Sequence, residues 1–112
     1  MLEIRWVGSS KEDLRSMPSS VKRKIGFALS ELEEGRTIPN CKPLAGFGSA
    51  KVCEIRENDR SGTYRAVYTT MIRGRLYVLH AFQKKSIRGI ETGRQDMALI
   101  KQRLNEVEYE KK

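Results

Sequence analysis

One stretch, residues 52–86, constrains the fold more than any other part of this chain. It opens with the β-capable run Val52-Cys53-Glu54-Ile55-Arg56-Glu57. Asn58-Asp59-Arg60-Ser61-Gly62 follows, and these residue types favour turns through local side-chain hydrogen bonds and tolerance of positive φ. Thr63 to Ile72 is dense in β-branched and aromatic residues. Arg73-Gly74 breaks the pattern as a two-residue hairpin signal, and a third run then leads from Arg75 to Lys85. The segment predicts an antiparallel meander of three strands over residues 52–85.

Basic residues are set into this meander. Period-2 alternation puts Arg65 on one face with Val67 and Thr69. Arg56 lies near the end of one strand, Lys84 and Lys85 near the end of another, and in a meander those ends can converge. The net charge of the chain is +8, and residues 36–94 hold twelve Lys/Arg against four Asp/Glu, so the whole excess sits there. Both flanking regions are neutral. A cation confined to the sheet region points to a nucleic acid or an acidic partner protein rather than to solubility in general.

Other classes are excluded by what is scarce. Cys41 and Cys53 are too few for a disulfide framework, and one histidine with no Cys-x-x-Cys or His-Glu-x-x-His pattern argues against a zinc site. No apolar run approaches the ~18 residues a membrane helix needs, and no secretory leader follows Met1. The expectation is a single cytoplasmic domain over residues 1–112 with no metal or other cofactor.

Around the meander, residues 2–7 alternate as a first strand. Ser9 or Ser10 can cap a short helical turn. A helix over residues 18–34 begins with Pro18 at its first position and carries Val21, Ile25, Ala28, Leu29 and Leu32 as an apolar stripe. Gly35 stops it. Residues 36–50 read as a loop, with Leu44 and Phe47 tucked onto the core. The spacing of Gly46 and Gly48 matches no phosphate-binding fingerprint. Thr92 and Gln95 have capping-box spacing before a last helix, residues 92–108, striped by Met97, Ile100, Leu104 and Val107. The fold class is α+β: a small antiparallel sheet with two N-terminal helices and a C-terminal helix.

This order of elements carries five motifs: Lys42-Pro43-Leu44-x-Gly46-Phe47-Gly48, Glu54-Ile55-Arg56, Ser61-Gly62-Thr63-Tyr64-Arg65-x-Val67-Tyr68, Leu79-His80-x-Phe82-x-Lys84-Lys85, and Asp96-x-x-Leu99-Ile100-Lys101-x-Arg103-Leu104. Together they resemble the RelE/HigB superfamily of toxins from type II toxin–antitoxin modules, in its phage-derived HigB-like branch. The resemblance implies a microbial RNase-like fold. It also implies ribosome-dependent, metal-free cleavage of messenger RNA that inhibits translation, and neutralisation by a cognate helix-turn-helix antitoxin. By position, Arg56, Arg65 and Lys85, with Lys84, match the family's basic catalytic residues. Glu54 stands where some relatives carry a lysine. Tyr109 is the nearest match to a C-terminal residue that contributes in others.

The residue types suit that chemistry on their own account. Metal-free RNA cleavage needs a base for the 2′-hydroxyl, cations for the charge building on the phosphate, and an acid for the leaving 5′-oxygen. Arginine grips two phosphate oxygens and stays charged. Arg60, Arg73, Arg75 and Arg88 read as peripheral phosphate or partner contacts, and Phe82 as a surface on which a base can stack. Each candidate has a structural alternative. Arg65 can pair with Glu54 on the neighbouring strand, Arg56 with Glu57, and alternation groups His80 with Val78 and Phe82 as a half-buried residue. Two functions compete with the nuclease: a ParE-like inhibitor of DNA gyrase, and a non-catalytic RNA- or DNA-binding module. A nuclease requires Arg56, Arg65 and a lysine on one concave patch facing solvent.

Overall fold

The computed structural model describes residues 2–47, 51–72, 74–84 and 92–110, the side chains of 71, 72 and 110 excepted. Its elements in chain order are β1 (Glu3–Trp6), α1 (Ser10–Arg15), α2 (Ser19–Glu33), β2 (Cys41–Pro43), β3 (Val52–Asp59), β4 (Gly62–Ile72), β5 (Arg75–Lys84) and α3 (Arg94–Glu110). The strands form one mixed sheet in the order β1-β5-β4-β3-β2. β3, β4 and β5 are the expected antiparallel meander. The β3–β4 turn is closed by Asp59, whose Oδ1 accepts from the Ser61 backbone N–H at 2.8 Å and from its hydroxyl at 2.7 Å.

Two pairings differ from the sequence reading. β1 joins β5 in parallel, Ile4 opposite Leu76 and Trp6 opposite Val78, which the intervening helices make possible as a crossover. Within the expected loop, Cys41–Pro43 forms a short edge strand, with Pro43 opposite Cys53. Proline is tolerated there because an edge position needs no ladder donor on its outer side.

The sheet carries a core on each face. α1 and α2 bring Leu14, Met17, Val21, Ile25, Ala28 and Leu29 onto Ile55, Ala66, Tyr68, Leu76, Val78 and Ala81. α3 brings Ile100, Leu104 and Val107 onto Val52, Val67, Tyr77, Leu79 and Phe82, with Leu44 and Phe47 packed alongside as expected. Pro18 sits one position earlier than expected. Its ψ of 146° is extended, and its carbonyl accepts the Lys22 N–H at 2.9 Å to open α2. α2 ends through Gly35, whose φ of +83° only glycine adopts readily.

A register shift positions the functional face. Val67 lies opposite His80, but Tyr68 lies opposite Val78, so β5 carries one extra residue there. This bulge breaks the strict alternation. Val78 faces α1 and α2, whereas His80 and Phe82 turn toward α3, so His80 does not share a face with Val78 as simple alternation predicts.

Candidate functional site

On the α3 side, the register lines up residues of three strands in rows. Arg56, Arg65 and Phe82 make one row, Glu54, Val67 and His80 the next, and Asn58, Thr63 and Lys84 the row beyond. The face is therefore polar and cationic where it extends past the N-terminal end of α3, and apolar beneath the helix.

Glu54 is the centre of this region. Its side chain is only 1% exposed, and its carboxylate accepts from Arg56 Nε at 2.7 Å and lies 3.2 Å from the Arg65 guanidinium. Thr92 Oγ1 adds a third link, accepting from Arg65 Nη1 at 3.1 Å and donating to Glu54 at 3.1 Å. Burial pulls the Arg65 pKa down and Arg56 adds to that, while Glu54 pushes it back up. The i, i+2 spacing of Glu54 and Arg56 puts both on one face, and the hairpin delivers Arg65 directly opposite Arg56. Two arginines shoulder to shoulder would repel each other. The carboxylate between them makes the arrangement stable and leaves a net cation.

Thr92 was expected to cap the last helix. It is instead taken up by the ion cluster, and α3 starts two residues later, with the Met97 N–H bonded to the Gly93 carbonyl at 2.9 Å. Above the cluster, His80 Nε2 is 2.8 Å from Asp96 Oδ1 in the first turn of α3. The His80 ring stacks on Phe82 with centroids 4.5 Å apart. Nothing local in the sequence marks the His80–Asp96 contact, because the partners come from different elements sixteen positions apart.

The structure brings some candidates together and separates others. Arg56 is partly exposed, with its Nε committed to Glu54. Arg65 makes the Glu54 contact that was its structural alternative and, at 2% exposed, does not face solvent as the nuclease reading expects, because the carboxylate and Thr92 draw it inward. Lys84 ends β5 on the same face, half-buried. Arg56 pairs with Glu54 rather than Glu57, whose carboxylate meets Asn40. Phe82 is buried against His80, and Arg60 is exposed in the β3–β4 turn. Arg75 lies at the opposite end of β5, held by Glu3 at 3.0 Å and by the Tyr77 hydroxyl at 3.3 Å. Tyr109 is exposed near the end of α3, and its neighbour Val107 shares a pocket with Arg75, far from the cluster. Lys85, Arg73 and Arg88 lie outside the described residues. Among the described residues, no group of three His, Cys, Asp or Glu is arranged to hold a metal, and no helix is long and apolar enough to cross a membrane.

Comparisons place this geometry. No curated protein matches the sequence closely enough to stand as a relative. Among solved structures, the crystal structure of the isolated E. coli RelE toxin superposes with a TM-score of 0.55, covering 91% of this chain and 98% of that one. The two are 18% identical, so the likeness establishes a shared fold. Residues 12–105 match the family described as phage-derived protein Gp49-like, a span that takes in both helical layers, the meander and the ion cluster. The chain belongs to the phage-derived Gp49-like family, built on the RelE fold.

Proposed function

We propose that this protein is the toxin of a type II toxin–antitoxin module and a metal-independent endoribonuclease that cuts messenger RNA on the ribosome. The observation that carries the reading is the convergence of Arg56 and Arg65 on a buried carboxylate, with Lys84 one row beyond the two arginines on the same sheet face. Family membership and the RelE fold support the toxin class.

In this reading Arg56 meets the scissile phosphate and Lys84 adds a point charge from the end of β5; Lys85, next in sequence, is the second lysine assigned to the phosphate. Arg65 contributes its fixed charge from behind and, through Glu54, holds Arg56 in place. Charge that builds on the phosphate as the 2′-hydroxyl attacks is then met by donors already in position, the arrangement that lowers such barriers most. Glu54 is committed to two arginines and His80 to Asp96. Lys84, at the end of β5, is the group assigned to move a proton. Arg60 lies on the path of a longer RNA. A cognate antitoxin with acidic residues would cover the cationic face and close it.

Expression without an antitoxin tests the proposal. Growth arrest with messenger RNA shortened inside translated frames is expected, and Arg56→Ala should relieve it while the protein stays folded. Arrest with intact messenger RNA and accumulating DNA damage would instead make the protein a gyrase inhibitor.

A further inference from the structure

The outer face of α2 carries three features that the packing of the core does not require. Phe27 is 67% exposed, one of only two large hydrophobic side chains so exposed among the described residues. It walls a groove of about 510 Å³ whose apolar lining includes Ala28, Ile38 and Pro39. Beside it, Gly26 sits in mid-helix with no atom within 4 Å of where a Cβ would stand, so no contact within the chain demands glycine there. A helix-interior glycine is unfavourable unless something must come close.

The third feature is the order of charges. Lys22, Arg23 and Lys24 occupy the first half of the helix, and Glu31, Glu33 and Glu34 the end. This runs against the helix dipole, which favours acids at the start and bases at the end, and α2 has neither. Arg23 and Glu31 lie four positions to either side of Phe27, on one stripe of the helix. In an antiparallel pair of α2 helices related by a two-fold axis, the cations of each copy face the carboxylates of the other, and the charge order turns favourable.

We propose that α2 is the interface of a homodimer, in which two copies pack antiparallel through Gly26 and Phe27. Gly26 lets the helix backbones approach, and each Phe27 ring enters the groove of the other copy. Glu31, already held by Arg36 at 2.8 Å, is presented in a fixed place to Arg23 of the second copy. A nucleic acid would be repelled by the three carboxylates, and an acidic peptide likewise; a second copy offers both signs, Arg23 of each facing Glu31 of the other. The interface uses the sheet face opposite the ion cluster, so both clusters stay open, and it stands independently of the proposed activity.

A 15-residue helix is about 22 Å long, so the contact lies at the small end of interface sizes and the association falls in the micromolar range. Sedimentation equilibrium from ~5 to ~500 μM at moderate salt tests it. The wild-type chain should pass from monomer to dimer, and Phe27→Glu should weaken association by at least ~100-fold. Gly26→Gln should remain folded, melt about 2–4 °C higher because the helix is improved, and stay monomeric. Arg23→Glu with Lys24→Glu, and separately Glu31→Lys with Glu34→Lys, should each be monomeric, and mixing the two should restore a heterodimer. A wild-type chain that is monomeric throughout overturns the proposal and leaves this face to a different protein. A dimer indifferent to Phe27→Glu, or charge-reversed variants that fail to pair on mixing, would also overturn it.

Discussion

Replacing Glu54 by alanine exposes how the site is held together. The Glu54 and Arg65 side chains are 1% and 2% exposed and meet at 3.2 Å, so solvent screens this pair little. Removing the carboxylate takes the Glu54 counter-charge from a buried guanidinium, a defect that typically costs about 3–5 kcal/mol. The Arg56 leg adds less, because that side chain is 26% exposed and can rehydrate. Small domains have only about 5–15 kcal/mol in all. A loss near 4 kcal/mol in a chain of 112 residues lowers the melting temperature by roughly 15 °C. Replacing both partners, Glu54→Met with Arg65→Met, removes the buried charges together and should cost under about 1.5 kcal/mol. Urea unfolding followed by circular dichroism, with the slope checked for constancy, measures all three proteins. If Glu54→Ala costs less than about 1 kcal/mol, or if the double replacement is worse than the single, the buried-cluster account is wrong.

Further consequences follow from other contacts. Arg103 reaches from α3 to the Leu79 carbonyl at the bulge (2.8 Å) and to Ser9 Oγ (3.1 Å), so Arg103→Met should cost about 2 kcal/mol in urea unfolding. Gly8 has a φ of +56°, and a Cβ there would lie 2.8 Å from that guanidinium; Gly8→Ala should cost about 1–2 kcal/mol in the wild type and less beside Arg103→Met. His80→Gln should unfasten the first turn of α3, read as faster amide exchange at residues 97–99 with the sheet unchanged. Burial raises the Cys53 and Tyr68 pKa values above their ordinary ranges, so the stability they contribute is present below about pH 9 and is lost as the pH climbs past it. Tyr68→Phe should therefore move the onset of alkaline unfolding upward, as seen by near-ultraviolet absorbance and circular dichroism.

Local chemistry made most of the fold legible. The meander declared itself through β-branched runs between two turns, and α2 through a stripe of five apolar residues, four of which the structure buries while Leu32 packs at the margin. β2 was not legible, because three residues ending in proline become a strand only when β3 supplies the ladder. The bulge at Leu79 was equally silent: an extra residue in one strand shows only against its partner. That silence misplaced His80 and hid its contact with Asp96. For the site, hairpin order alone indicated that the strand ends bearing Arg56 and Lys84 can converge near Arg65; the common face follows from the register. The Glu54 carboxylate that joins the two arginines was visible as an alternative for Arg65. Thr92 was misread because a threonine three residues before a glutamine has the spacing of a cap, and only packing shows that its hydroxyl is engaged elsewhere.

The nature of the cut ends tests the central claim most directly. Attack by a 2′-hydroxyl, with cations steadying the phosphate, leaves a 5′-hydroxyl on the downstream fragment, whereas metal-activated water would leave a 5′-phosphate. Capture and sequencing of 5′-hydroxyl ends from a translation reaction containing the purified protein reads this out. The account expects such ends inside translated frames, lost with Arg56→Ala and much reduced with Lys84→Ala. Intact messenger RNA, ends bearing 5′-phosphate, or an unchanged pattern with a folded Arg56→Ala protein would contradict it.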